Sequence, residues 1–287
     1  MQKSSLMGIK VAGVISVVGI FFVNALGFID HDTKSGMGCG ADWPLCRGDL
    51  VPSFTTNAVL IEYVHRLLTL GFVAALAVFL VAITRRSLQT PAWTRLVRVL
   101  LALLVVETII CTAGVLWNVP GIIMSWLAGI GLAAQSVLAI MVLWLWKPDL
   151  FANGAGPRPI HSPSAWTLVL LLALYLYFGA WLSYSPPAHL SLLYRMTGGI
   201  LVLGAARWVW GAVKPGARLG TALSLLPLAA APFVPQFVTG TILGDTVVVL
   251  WLSWCTTAVT YIALGGKTGR EPLMVDSFSA PPRAVGK

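Results

Sequence analysis

The stretch AVLIEYVHRLLTLGFVAALAVFLVAI, residues 58–83, decides the fold. Glu62, His65 and Arg66 stand near its start, and no charged residue follows Arg66 up to Ile83. A bilayer core about 30 Å thick needs roughly 20 apolar residues in a spanning helix. This stretch is long enough, and seven others resemble it. Predicted spans are 9–29, 58–83, 95–117, 121–146, 164–184, 189–213, 219–241 and 246–265. Composition agrees. Charged residues make up 10% of the chain, against about a quarter in a soluble domain. That is too few to cover a water-facing surface. The predicted class is an all-α polytopic membrane protein, with eight transmembrane helices as two pseudo-repeated four-helix bundles.

The basic residues orient it. Arg85, Arg86, Arg95 and Arg98 lie between spans two and three, Lys147 and Arg158 between four and five, and Lys214 and Arg218 between six and seven. Lys267, Arg270, Arg283 and Lys287 follow span eight. Basic loops stay on the cytoplasmic side, so both termini are predicted cytoplasmic and the location is the cell membrane. The net charge of +9 is read the same way, and no nucleic-acid partner is expected. Lys3 and Lys10 precede the apolar run Val11–Ile29. That run is too long for the core of a signal peptide and lacks a clear cleavage site, so it is read as a retained first helix.

Residues 148–163 hold Pro148, Pro157, Pro159, Pro163, Gly154 and Gly156 and read as a cytoplasmic linker. It separates an N-terminal half, 1–147, from a C-terminal half, 164–266, with a cytoplasmic tail over 267–287. The halves echo one another. His65-Arg66 and Thr69 in helix two resemble Tyr194-Arg195 and Thr197 in helix six. Glu107, Thr112 and Gly114 in helix three resemble Gln236, Thr239 and Gly240 in helix seven. Such a repeat would be parallel, about an axis along the membrane normal.

One long extracytoplasmic loop, about 30–57, contains Gly36-Met37-Gly38-Cys39-Gly40-Ala41-Asp42-Trp43-Pro44-Leu45-Cys46-Arg47-Gly48. Two cysteines with six residues between them, in an oxidising compartment, can close a small loop. They serve either as a staple over the bundle or as a redox-active pair. Just inside the membrane, Glu62 and His65 share a helix face. Ionisable groups at that depth are costly and face the bundle or a cavity. A neutral imidazole there suits heme iron or a packing contact. Arg66 either pairs a heme propionate or snorkels outward. Glu107 needs a partner or a proton. Cys111 and Cys255 read as small packing residues.

The Gly-x-Gly-Cys-Gly-x-Asp-Trp-Pro-Leu-Cys motif, followed by Ile61-Glu62-Tyr63-Val64-His65-Arg66, resembles the heme A synthase family. The match is specific over Ser35–Arg66, with Pro52 at a fitting distance. The resemblance implies oxidation of the heme O C8 methyl to the heme A formyl group for terminal oxidases. It implies His65 as an axial ligand of the substrate heme iron, Glu62 as an essential neighbour, and a Cys39–Cys46 disulfide. A heme b in the C-terminal half would relay electrons. Heme O synthase, terminal oxidase subunits and membrane lipid are the implied partners.

The chain departs from the family in its histidines. The family supplies two from each half, whereas this chain has His31, His65, His161 and His189 in all. His31 falls in the first loop, His161 in the linker and His189 at the outer end of helix six. Met124 in helix four and Tyr194 in helix six are the candidate replacement ligands, with Arg195 beside Tyr194 as a further cofactor-binding candidate. The leading expectation is a heme A synthase-like membrane oxidoreductase acting around Glu62 and His65, with the second half as scaffold. The alternatives are a noncatalytic heme-binding or oxidase-assembly relative, favoured by the missing histidines, and a small-molecule transporter.

Overall fold

The computed structural model describes residues 2–43, 45–85, 90–117, 119–151, 163–184, 188–212, 218–233 and 241–264. Its α-helices are α1 (Gln2–Asp32), α2 (Asn57–Arg85), α3 (Pro91–Trp117), α4 (Gly121–Met124), α5 (Trp126–Trp146), α6 (Pro163–Tyr184), α7 (Ala188–Ala212), α8 (Arg218–Leu225) and α9 (Ile242–Ala263). In lipid the backbone has no water to bond, so it must satisfy itself. Helices built from runs of Leu, Val, Ile and Ala do so.

Six stretches among the described residues are long and apolar enough to cross a membrane: Leu6–Asp32, Asn57–Arg85, Pro91–Gly114, Gly121–Trp146, Pro163–Ser183 and Ile242–Ala263. The chain is therefore a multi-pass helical membrane protein, with six such helices where the sequence predicts eight. The other two expected spans differ for separate reasons. α7 has the length, but Arg195 and Arg207 lower its apolar character. The expected span 219–241 is not one helix. α8 stops after eight residues and passes into a 3₁₀ turn, Leu226–Ala230. Pro227 stands at the start of that turn, where its missing N–H ends the α-helical ladder.

The fourth span also breaks, at Ser125, between α4 and α5. The Ser125 hydroxyl donates back to the Gly121 carbonyl at 2.6 Å, a bond that competes with the helix ladder. The first helix, in contrast, runs further than expected. His31 lies in its last turn and not in the loop.

Two apolar cores form. One joins Phe79 of α2, Leu100 of α3 and Leu138, Ile140 and Met141 of α5 with residues of α1. The other joins Leu172 and Tyr175 of α6, Leu201 of α7, Leu228 of the 3₁₀ turn and Leu252 of α9 with Leu132 of α5. At the predicted cytoplasmic end, Trp93 stacks on Trp144 with ring centroids 4.8 Å apart. α1 packs on α2, α5 and α9, and α3 packs on α5. Among the described residues, α2 and α3 meet mainly through the core they share with α1 and α5 rather than by close backbone approach. The echo of helix three in helix seven involves Gln236, Thr239 and Gly240. These lie outside the described residues, as do His161, most of the linker and the tail.

Candidate functional site

Cys39 and Cys46 form a disulfide with Cα atoms 4.4 Å apart. Both are fully buried and, with Val59 and the flanking Tyr63 of α2, make a small core of their own. The loop closes tightly. Cys46 and Asp49 exchange backbone hydrogen bonds of 2.9 and 3.1 Å. Between them Arg47 and Gly48 both take positive φ, 55° and 85°, as a primed hairpin turn requires. Gly38 lies directly on the first turn of α2. A Cβ there would meet the Ala58 carbonyl and come within 2.8 Å of the Val59 nitrogen. Gly38 is thus required by contact with the start of α2, while Gly40 and Gly48 are required by positive φ, 72° and 85°.

Two buried charges hold this loop down. Glu62 is 5% exposed and Arg66 9%. They are one helical turn apart and form an ion pair between Glu62 Oε1 and Arg66 Nη2, with Arg66 Nε donating to the same oxygen at 3.1 Å. Glu62 Oε2 accepts from the Cys39 backbone N–H at 2.5 Å. Arg66 donates to the Leu45 carbonyl at 2.6 Å and to the Gly40 carbonyl at 2.5 Å. Every nitrogen of the guanidinium head is engaged. Arg66 therefore points inward and upward to the loop, which corrects the expectation that it snorkels. Asp30, at the end of α1, lies within electrostatic reach of both. Its Oδ1 is buried without a hydrogen-bond partner.

His65, three residues after Glu62, turns toward α1. It is half-buried, and its ring lies beside Gly27 of α1, where a Cβ would come within 3.8 Å of Cε1 and 3.9 Å of Nε2. No hydrogen bond engages the imidazole among the described residues; Thr69 bonds the His65 backbone carbonyl instead. A neutral imidazole is a group that can ligate heme iron.

The replacement ligands are placed otherwise. Met124 packs into α3, with its sulfur 2.6 Å from where a Cβ on Gly114 would stand. Tyr194 is 2% exposed. Its ring stacks on Tyr175 at 4.8 Å, and the two hydroxyls lie 2.6 Å apart. Tyr175 in turn donates to the Ala231 carbonyl at 3.0 Å. Arg195 is exposed on the outside of α7. Thus the structure brings Glu62, Arg66, Cys39 and Cys46 together, sets His65 beside them, and leaves Met124, Tyr194 and Arg195 apart. Of the free cysteines, Cys255 is buried as expected, while Cys111 is exposed on α3.

Deeper in the same half lies a polar group that the sequence reading passed over. The Asn24 amide donates to Gln135 Oε1 at 2.8 Å. Gly131, one turn before Gln135, opens a notch. A Cβ there would be 2.6 Å from Asn24 Oδ1 and 2.7 Å from Glu107 Oε1. Asn24 and Gln135 are signalled only by being amides in otherwise apolar runs.

These features define a class: a polytopic helical membrane protein with a disulfide-closed loop pinned to a buried ion pair, beside the His65 imidazole. Relatives narrow the class. The chain is 32% identical to the heme A synthase of Lysinibacillus sphaericus over 142 residues, 49% of this chain and 46% of that one. It is 26% identical to that of Exiguobacterium sp. over 188 residues, 63% and 58% of the two chains. With that of Alkalihalophilus pseudofirmus it shares 39% identity over 72 residues, 25% and 24%. No protein-family model matches the chain. The chain spans about half the length of the curated relatives it matches. Each of these relatives is a heme A synthase, and the similarity is confined to part of each chain.

Proposed function

We propose that the protein is a membrane oxidoreductase of the heme A synthase type, converting the heme O C8 methyl to the formyl group of heme A. The observation that carries this reading is the His65 imidazole. It makes no hydrogen bond among the described residues and lies against Gly27 of α1, three residues beyond Glu62, which pins the disulfide loop. His65 would hold the iron of the substrate heme. The Cys39–Cys46 loop, held by Glu62 and Arg66, would cap the site and keep water out. Glu62 acts here as a positioning residue, because its carboxylate is committed to the Cys39 N–H and to Arg66. The oxidising chemistry would come from the heme and oxygen. The C-terminal half serves as scaffold, with Tyr194 buried and stacked on Tyr175 in its core. Heme O would arrive from a synthase in the same membrane, and the product would pass to terminal oxidase subunits. The distribution of basic residues supports cytoplasmic termini.

A second reading, a noncatalytic heme carrier or assembly factor, is favoured by one observation. Neither Met124 nor Tyr194 is placed to complete an axial pair. Purified protein expressed with heme O supplied separates the two. An oxidoreductase yields extractable heme O and heme A, both lost in His65→Ala. A carrier yields bound heme with no heme A, and absence of any His65-dependent heme rejects both.

A further inference from the structure

The first turns of α3 carry a groove that the site above does not use. It lies at the end of the bundle opposite the disulfide loop. Its volume is about 500 Å³, and Thr90, Pro91, Thr94, Arg95, Arg98 and Val99 line it. α3 has two distinct faces here. Trp93, Leu96 and Leu100 are buried in the bundle, with Trp93 stacked on Trp144 of α5. Arg95, Arg98 and Val99 are exposed on the opposite face. The inner face is filled, so the groove opens away from the bundle.

The groove is positively charged and uncompensated. Arg95 and Arg98 are three residues apart, so their side chains share one face. Arg98 Nε donates to the Thr94 carbonyl of its own helix at 3.4 Å. Neither guanidinium is in an ion pair among the described residues, where the one such pair is Arg66 with Glu62. No acidic residue lines the groove among the described residues, and none occurs between Glu62 and Glu107. Two guanidinium groups flanking a concave surface fit a phosphate, which each can grip through paired N–H donors. Beyond the groove the same face turns apolar. Val99, Ala102, Val106 and Ile109 are exposed, and their spacing of three or four makes one stripe. From Val99 to Ile109 the stripe runs about 15 Å. That is one leaflet of a hydrocarbon core roughly 30 Å thick.

We infer that this face of α3 binds one anionic phospholipid, its phosphate held between Arg95 and Arg98 and an acyl chain lying along the stripe from Val99 to Ile109. The stripe selects a lipid over free phosphate, since a soluble ion would use the arginines and leave the apolar track bare. Charge selects among lipids. A zwitterionic headgroup brings its own cation to a groove that already holds two, whereas an anionic one brings only the matching charge. The site stands apart from Glu62 and His65 and does not depend on the reaction proposed for them.

The test uses the full chain in detergent, stripped of lipid and titrated with phosphatidylglycerol or phosphatidylcholine, with bound lipid counted by native mass spectrometry. The expected result is one phosphatidylglycerol held more tightly than any phosphatidylcholine. Its affinity should weaken roughly thirtyfold in the Arg95→Gln/Arg98→Gln double variant, about fivefold for each arginine. Arg85→Gln/Arg207→Gln removes the same charge from exposed positions outside the groove and should leave the affinity unchanged. A thermal midpoint equal to the parent's without lipid shows that both variants fold. Ala102→Trp blocks the stripe, leaves both arginines in place, and should also weaken binding. Equal losses in the two double variants would overturn the site in favour of diffuse charge, and equal binding of the two lipids would overturn the phosphate clamp. Unchanged binding in Ala102→Trp, or complete displacement of phosphatidylglycerol by inorganic phosphate, would overturn the lipid as occupant.

Discussion

Arg66 serves the loop rather than the lipid surface, and this fixes what its loss should do. Arg66→Leu leaves the Gly40 and Leu45 carbonyls without their donor and Glu62 as a buried charge without its cation. Breaking a buried pair on one side costs about 3–5 kcal/mol. The expected outcome is a lower unfolding temperature in detergent and faster reduction of Cys39–Cys46 by dithiothreitol. Glu62→Gln keeps an acceptor for the Cys39 N–H and should lose less, about 1–3 kcal/mol. His65→Ala should leave both measurements near the parent values, because the imidazole makes no hydrogen bond among the described residues. The identities of Glu62, His65 and Arg66 were legible in the sequence, as was their depth. Their division of labour was not. Spacing alone puts Glu62 with either His65 or Arg66. The deciding acceptors, Gly40 and Leu45, sit more than twenty residues away in a loop whose path the sequence does not show.

Between helices, packing without water depends on small residues that let backbones and side chains approach. Gly131 is such a point, and a methyl group there meets two polar oxygens rather than empty space. Gly131→Ala should destabilise the fold by about 1–3 kcal/mol, the usual cost of overpacking, seen as a drop in thermal midpoint. Gly71→Ala is the control. It lies in α2 with nothing within 4 Å of the added methyl, and should be neutral or stabilising by up to about 1 kcal/mol. Helices α2, α3, α5 and α9 were readable from their apolar runs. The break after Leu225 was less so. Pro227 and Pro232 sit in a stretch apolar enough to read as a span, and hydropathy does not register a missing N–H. Asn24 and Gln135 were legible only as isolated amides, because their meeting depends on how α1 lies against α5.

For the whole molecule, composition alone required a membrane, and the basic loops give an orientation open to direct test. In a Cys111→Ser background, Met37→Cys on the disulfide loop should react with an impermeant maleimide on intact cells. Thr90→Cys, just before α3, should react only after permeabilisation. Both positions are exposed. The reverse pattern would place the disulfide loop, and with it the proposed heme cap, on the cytoplasmic face. The two halves are joined chiefly by α9 against α1 and α5. A polar contact adds to this, His31 Nε2 lying 2.9 Å from the Ser183 hydroxyl.

The bond between Asn24 and Gln135 also sets a clock for biosynthesis. The two residues are 111 positions apart in the chain. At roughly 5–20 residues per second, a ribosome delivers the second amide about 5–20 s after the first. Throughout that interval α1 holds an amide at membrane depth whose eventual partner has not been made. Early α1 must therefore linger near water, the insertion machinery or its neighbour α2, and its final seat is fixed only when α5 arrives.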